Sequence, residues 1–90
     1  MALVTLLSGV ATTGASQSIR TDGWTPAHIQ ISGITLGTVA VQGSVDGTVW
    51  ATMGTALTAD GIITLSEPPP YVRANVTAFT SGSITVKVSY

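Results

Sequence analysis

The sequence predicts an all-β protein, a small antiparallel β-sandwich of jelly-roll-like character with about eight short strands. Three observations predict this class. Short runs of residues alternate between apolar and polar side chains, as in half-buried strands. Glycine, proline and Asp-Gly turn residues separate these runs at roughly 8–12-residue intervals, and no stretch shows a helical period. At 90 residues we expect one domain, residues 1–90, with residues 1–16 as a possible N-terminal arm and loop.

Charged side chains are scarce and nearly balanced. They make up 8% of the chain, with three Lys and Arg against four Asp and Glu, for a formal net charge of −1. Nucleic acid binding needs a basic stripe and an anionic membrane attracts a polybasic segment, so we expect neither partner. Because an isolated soluble protein usually carries more charge, we expect partners to cover much of the surface.

Cysteine is absent, which excludes a disulfide framework and thiolate metal sites. A chain of this length buries only about 60–65% of its unfolded surface, so its own core is small. Association with further copies or with a larger surface is the expected supplement to that core.

The first predicted strand is Ala2–Ser8, followed by a loop of small residues, Gly9–Ser16. The strand is either buried on both faces or an arm that pairs with the sheet edge of a neighbouring subunit. In the second interpretation Leu3, Thr5 and Leu7 are possible partner contacts. The segment lacks the basic residues and the length of a secretory signal, and no run approaches the roughly 18 apolar residues of a membrane span.

A short strand, Gln17–Arg20, and an Asp-Gly turn, Thr21–Gly23, are predicted to precede Trp24. The next strand, Ala27–Ser32, alternates cleanly. Its core-facing side chains are Ala27, Ile29 and Ile31. His28 faces outward and has neither a second histidine nor a Ser or Cys nucleophile at a recognisable spacing, so we interpret it as a partly exposed strand residue.

A central hairpin is predicted after a short connection, Gly33–Gly37. Its first strand is Thr38–Gln42, and the core-facing side chains there are Val39 and Val41. Asp46-Gly47 is a strong turn signal, because Asp bonds its own backbone and Gly takes positive φ without steric cost. Trp50 follows on the return strand. Burying an indole removes on the order of 150–250 Å² from water, so we expect Trp50 to be the largest single contributor to the core.

Two further strands are predicted, Ala51–Leu57 with a bulge or bend at Gly54, and Ile62–Leu65 after the Asp60-Gly61 turn. All three Asp-Gly pairs fall between predicted strands, so we assign them to turns rather than to calcium loops, which need regularly spaced ligands. Glu67–Pro70 contains three prolines and is expected to form a rigid polyproline connection.

The last two predicted strands are Tyr71–Thr77 and Ser83–Tyr90, separated by a turn at Gly82. The core-facing side chains of the first are Val72, Ala74 and Val76, and those of Ile84, Val86, Val88 and Tyr90 share one face of the second. Arg73 faces outward, where it either pairs with a carboxylate or lies exposed on the surface. The candidate carboxylates are Asp46, Asp60 and Glu67.

We identify no catalytic residue, no cofactor-binding residue and no metal ligand. One histidine, no cysteine and no acidic pair at a telling spacing leave neither a nucleophile with its base nor a metal site. The chain is therefore expected not to be an enzyme and to need no cofactor.

Three stretches together resemble a recurrent type of small structural protein from tailed bacteriophages. They are VQGSVDGTVW, PYVRANVTAFTSGSITVKV and the opening LVTLLSGVATTGASQSI. The central motif is also similar to that of discoidin-like galactose-binding modules, which are longer and carry binding loops without a counterpart here. Matched residue by residue, the resemblance implies structural framework positions, none catalytic, at Asp46, Gly47, Trp50, Tyr71 and Arg73.

The resemblance implies a virion structural protein, specifically a capsid decoration (cement) protein on the capsid exterior. Its expected partners are the major capsid protein and further copies of itself, as a trimer or dimer. A tail or collar component and a small carbohydrate-binding module are the alternatives. Trp24 and Phe79 join Leu3, Thr5 and Leu7 as possible partner contacts.

Overall fold

The computed structural model describes residues 3–21, 26–66 and 68–90, which form one antiparallel sheet of seven strands and contain no helix. The strands are β1 (Leu3–Val10), β2 (Gly14–Ala15), β3 (Ile19–Arg20), β4 (Ala27–Ser44), β5 (Ala51–Thr52), β6 (Gly61–Leu65) and β7 (Tyr71–Ser89). The predicted all-β antiparallel class is thereby confirmed. The described residues accordingly hold no helix that is long and apolar enough to cross a membrane.

The two longest strands, β4 and β7, lie side by side at the centre of the sheet. They pair along their whole length, from His28 opposite Ser89 to Ser44 opposite Tyr71. β1, β2 and β3 follow one another along the free side of β7, while β5 and β6 lie along the free side of β4. The sheet is not closed, since its strand order begins and ends at free edges within the described chain.

Two predicted breaks are wrong, because both lie inside continuous strands. The supposed connection Gly33–Gly37 belongs to β4, and the supposed turn at Gly82 belongs to β7. The register between these strands shifts repeatedly from Ser32 to Val39. The glycines therefore lie where the pairing is irregular, and the chain does not reverse direction there. Gly33 and Gly82 have φ angles of 81° and 127°, which residues with a side chain rarely adopt.

The core consists of aliphatic side chains from alternate positions of β4 and β7, as predicted. The positions with at most 1% exposure are Ala27, Ile29, Ile31, Val39, Val41, Val72, Ala74, Val76, Ile84, Val86 and Val88. Leu6 of β1 and Ile19 of β3 complete this single cluster. Tyr90 is partly buried and packs against the cluster.

The prediction that Trp50 dominates the core is wrong. Its side chain is half-buried and does not belong to the core cluster, in which β-branched aliphatic residues predominate. Trp50 also precedes the return strand β5 rather than lying on it. The strand predicted over Ala51–Leu57 is correspondingly short: it is limited to β5 and to a single bridge between Leu57 and Val39. Gly54 lies between the two with a φ of 70°.

The N-terminal segment lies against its own chain. β1 pairs with β7, and it is neither buried on both faces nor detached, since Leu6 is buried while Leu3 is 71% exposed. The predicted loop Gly9–Ser16 is partly strand, because β1 continues to Val10 and β2 pairs with β7. The predicted strand within Gln17–Arg20 is confirmed as β3. Asp22, Gly23, Trp24 and Glu67 lie outside the described residues.

Candidate functional site

The turn loop, residues 44–50, connects β4 to β5 and is organised by the side chains of Ser44 and Asp46. The Asp46 Oδ1 atom accepts hydrogen bonds from the Ser44 hydroxyl at 2.8 Å, the Thr48 amide at 2.8 Å and the Val49 amide at 3.0 Å. The Ser44 Oγ atom in turn accepts from the amides of Asp46 at 3.2 Å and Gly47 at 2.8 Å. Four consecutive backbone amides are thus held by two side chains, and this fixes the loop's shape.

These hydrogen bonds set the charge state of the loop. The amides of Thr48 and Val49, followed by the Ser44 hydroxyl, stabilise the ionised carboxylate and lower the pKa of Asp46 from 3.8 to about 2. Asp46 is therefore an anion at any pH above about 4, the range in which the loop has its full hydrogen bonding.

Trp50, at the end of the turn loop, stacks against Arg73 on the outer face of the sheet. The Arg73 guanidinium carbon lies 4.4 Å from the centre of the indole ring, within the range of a cation–π contact. The Arg73 Nε atom donates a 2.8 Å hydrogen bond to Oε1 of Gln42, its neighbour across the β4–β7 pair. This answers the question that the sequence left open: in the described chain Arg73 contacts an amide and an aromatic ring, and its side chain is half-buried.

A second stacked pair lies beside the first. The Arg20 guanidinium carbon is 5.7 Å from the centre of the Tyr71 ring, and the two residues are register partners in the β3–β7 pair. A Cβ atom placed on Gly47 would lie 3.7 Å from the same ring, so the turn loop passes directly over Tyr71. The structure therefore brings together all five residues that the resemblance singles out: Asp46, Gly47, Trp50, Tyr71 and Arg73.

An apolar cleft of about 400 Å³ adjoins the turn loop. Val45 and Val49 stand at this cleft with 80% and 73% of their surface exposed. The other lining residues are Gly43, Ser44, Ala51, Met53 and Pro69. Gly43 forms a close-packed base, since a Cβ atom there would lie 2.5 Å from Pro69 Cγ and 2.6 Å from Met53 Sδ. The cleft has no charged lining residue, so it suits an apolar group.

A smaller groove of about 300 Å³ crosses the outer face at the other end of the sheet. Its apolar members, Leu3 and Ile62, are 71% and 66% exposed. The remaining lining residues are polar: His28, Gln30, Lys87 and Ser89. His28 is exposed, as predicted, and its Nδ1 atom lies 3.2 Å from the Thr64 hydroxyl.

Of the five residues predicted as partner contacts, the structure describes four. Leu3 and Thr5 are exposed, whereas Leu7 and Phe79 are partly buried and pack against the core. Trp24 lies outside the described residues. Sequence reasoning missed Val45 and Val49, although a signal was present: two valines stand in a turn where polar residues are the rule.

No group of three or more metal-binding side chains occurs among residues 3–21, 26–66 and 68–90. Neither a protein-family model nor a curated protein matches the chain.

Proposed function

We propose that this chain is a bacteriophage virion structural protein, a non-catalytic capsid decoration (cement) protein. It binds the outer surface of the major capsid lattice as a dimer or trimer and stabilises the head. The kind of partner follows from the resemblance of the motifs around Asp46, Trp50 and Arg73 to tailed-phage structural proteins. The surface that we assign to that partner is the turn loop.

The observation that carries the proposal is the exposure of Val45 and Val49 on a loop of fixed shape. A rigid loop loses little conformational entropy on binding, so burial of its apolar side chains translates more fully into affinity. The only charged residue of the loop is Asp46, whose carboxylate oxygen already accepts three hydrogen bonds within the loop. Asp46 is itself exposed, so a partner that covers the valines must leave this carboxylate in water or supply it with a hydrogen-bond donor.

A lattice-binding role follows from small contacts repeated many times. Each copy that spans a joint between capsid subunits adds buried area to the assembled shell and none to separated subunits. Binding to the assembled state alone stabilises that state by mass action. A chain with only 8% charged residues suits such a role, because few charges need to be desolvated.

The proposed shape is a small β-sandwich with jelly-roll-like character, in which the two ends of the long sheet lie face to face. This arrangement is supported by the single core cluster, which includes Ile29 and Val86 from one end and Val41 and Val72 from the other. Methyl–methyl nuclear Overhauser effects between the two pairs would support the sandwich. Their absence, with effects confined to each end, would contradict it.

The first test is a cryo-EM reconstruction of the source phage particle. The proposal predicts regular density for this chain on the icosahedral shell, at joints between major capsid subunits. Density confined to the tail or collar would assign the chain to that structure instead, and absence from the particle would reject a virion role.

The second test measures binding of purified protein to heads that lack it. The double variant Val45→Ser/Val49→Ser removes the apolar contact without placing a charge near Asp46. We expect its dissociation constant to rise at least tenfold, since a loss of about 1.4 kcal/mol suffices for that. Leu36→Ser, at a residue 58% exposed on β4, is the matched control and should bind like the wild type. Equal binding by all three proteins would exclude the turn loop as the contact.

A further inference from the structure

The edge strand β6 is unusual in having no protection against pairing with another strand. Natural sheet edges are usually blocked by charged side chains, prolines or bulges. β6 has the sequence GIITL, with neither charge nor proline, and its register with β4 runs from Ala27–Leu65 to Ile31–Gly61 without a shift. By contrast, β1 at the opposite edge of the sheet has two register shifts.

The core also remains open along this edge. Ala27 and Ile29 of β4 are fully buried, whereas Ile63 and Leu65, which pair with them and face the same side, are only partly buried. On the outer side Ile62 is 66% exposed. Within the described chain β6 has one neighbouring strand, β4, so its other side presents free backbone groups next to exposed apolar side chains.

We propose that β6 pairs antiparallel with β6 of a second copy of this chain, about a twofold axis through Ile63. This register pairs all five residues of the strand and places Ile62 opposite Thr64 of the partner subunit. Directly opposite residues in an antiparallel pair lie on the same face of the sheet. Core-facing residues of one copy therefore lie opposite core-facing residues of the other, and outward-facing residues opposite outward-facing ones. The two Ile62 side chains become diagonal neighbours at about 7–8 Å, within reach of each other.

A second copy is the favoured occupant because the strand is self-complementary. A charged residue near a twofold axis lies close to its own copy and is repelled, and β6 has no such residue. The nearest acid, Asp60, falls outside the five paired residues, and its Oδ1 atom accepts a 2.9 Å hydrogen bond from the Ile34 amide. Both twofold-related sheets then continue into one across the axis, and partner residues cover Ile63 and Leu65.

Analytical ultracentrifugation of the full chain over a range of concentrations tests the pairing. We expect a monomer–dimer equilibrium with no larger species, because a twofold edge contact is closed. Ile62→Lys should raise the dimer dissociation constant at least tenfold, because it places two ammonium groups near the axis. Thr5→Lys, an exposed position on β1, is the matched control and should dimerise like the wild type. A monomer at all concentrations, open-ended oligomers, or an unaffected Ile62→Lys dimer would each overturn the proposal.

The register is tested by thiol crosslinking, which the absence of native cysteine makes specific. Ile62→Cys and Thr64→Cys are mixed and treated with a short bis-maleimide. In an equal mixture the mixed 62–64 product should exceed the half of all crosslinks that random pairing gives, and an excess of either symmetric product would overturn the axis through Ile63. Both experiments use the isolated chain, so their failure is distinguishable from a failure to bind phage heads.

Discussion

Gly33 of β4 and Gly82 of β7 lie against each other at the middle of the two central strands. A Cβ atom on Gly82 would lie 2.5 Å from the Gly33 carbonyl oxygen and 2.9 Å from the Thr35 amide nitrogen. The strands can approach this closely only because neither residue has a side chain. The contact lies among the register shifts, where regular pairing between β4 and β7 is interrupted.

Replacing Gly82 by alanine should therefore destabilise the fold severely. The new methyl group would overlap backbone atoms that cannot move aside, and the φ of 127° is itself unfavourable for alanine. We expect Gly82→Ala to cost roughly 3 kcal/mol or more in the free energy of unfolding. Gly54→Ala is the control: its φ is 70°, but its Cβ would meet nothing within 4 Å, so only about 1–2 kcal/mol is expected. Urea denaturation measures both, and equal losses would contradict a steric role for the glycine pair.

Asp46 should make stability fall in acid. The pKa of this carboxyl in the folded protein is about 2, below the ordinary 3.8, so folding favours the ionised form. The contribution is fully present above about pH 4 and is lost as the pH falls through about 2. Thermal unfolding midpoints of the wild type should drop between pH 4 and pH 2 by more than those of Asp46→Asn, which cannot titrate. Parallel curves for the two proteins would show that the carboxylate is not held as described.

Arg73 and Trp50 should stabilise each other. A double-mutant cycle with Arg73→Ala and Trp50→Ala isolates their interaction from the separate losses of packing and of the Gln42 hydrogen bond. We expect a coupling free energy of about 0.5–1 kcal/mol, the usual strength of a partly exposed cation–π pair. Gln42→Ala replaces Trp50→Ala in a control cycle that measures the Nε–Oε1 hydrogen bond. Additive effects in the Arg73–Trp50 cycle would mean that the stacking contributes nothing.

Two isoleucines test the assignment of the core. Ile29 is fully buried and Ile62 is 66% exposed, although both lie on neighbouring strands of the same sheet. Ile29→Ala should cost about 2–5 kcal/mol, a large share of the 5–15 kcal/mol typical of a small domain. Ile62→Ala should change the stability of the dilute protein by less than about 0.5 kcal/mol. Chemical denaturation at low protein concentration makes the comparison, and similar costs would show that the buried face is misassigned.

The sequence predicted which residues face the core more accurately than it predicted where the strands end. Alternation at Ala27–Ser32 and Tyr71–Thr77 reports a physical constraint, because a strand with one buried face must place every second side chain inside. Gly33 and Gly82 misled the boundary assignment. Glycine occurs both in turns and at positions where two strands approach closely. Only the position of the adjacent strand shows which of the two applies.

The candidate site, too, was predictable from the sequence only in part. The Asp46-Gly47 turn was predictable, because its hydrogen bonds join residues two or three positions apart. The position of Trp50 was not, since it depends on Arg73, which lies 23 positions further along and is brought near by the β4–β7 register. A large aromatic ring can stabilise a protein either by burial in the core or by contact with a cation. Composition alone does not show which of the two applies.

The position of β7 in the sheet has a consequence for biosynthesis. This strand follows the other six described strands in the chain, yet it lies between β4 on one side and β1, β2 and β3 on the other. In the described residues β4 forms no strand pair with β1, β2 or β3. Of the strand pairs described, a nascent chain that ends before Tyr71 can form only those of β4 with β5 and β6. Its β1, β2 and β3 segments lack the strand with which they pair. The complete sheet therefore forms only once β7 has left the ribosome, and we expect a chain whose synthesis stalls within that strand to stay largely unfolded and prone to aggregate.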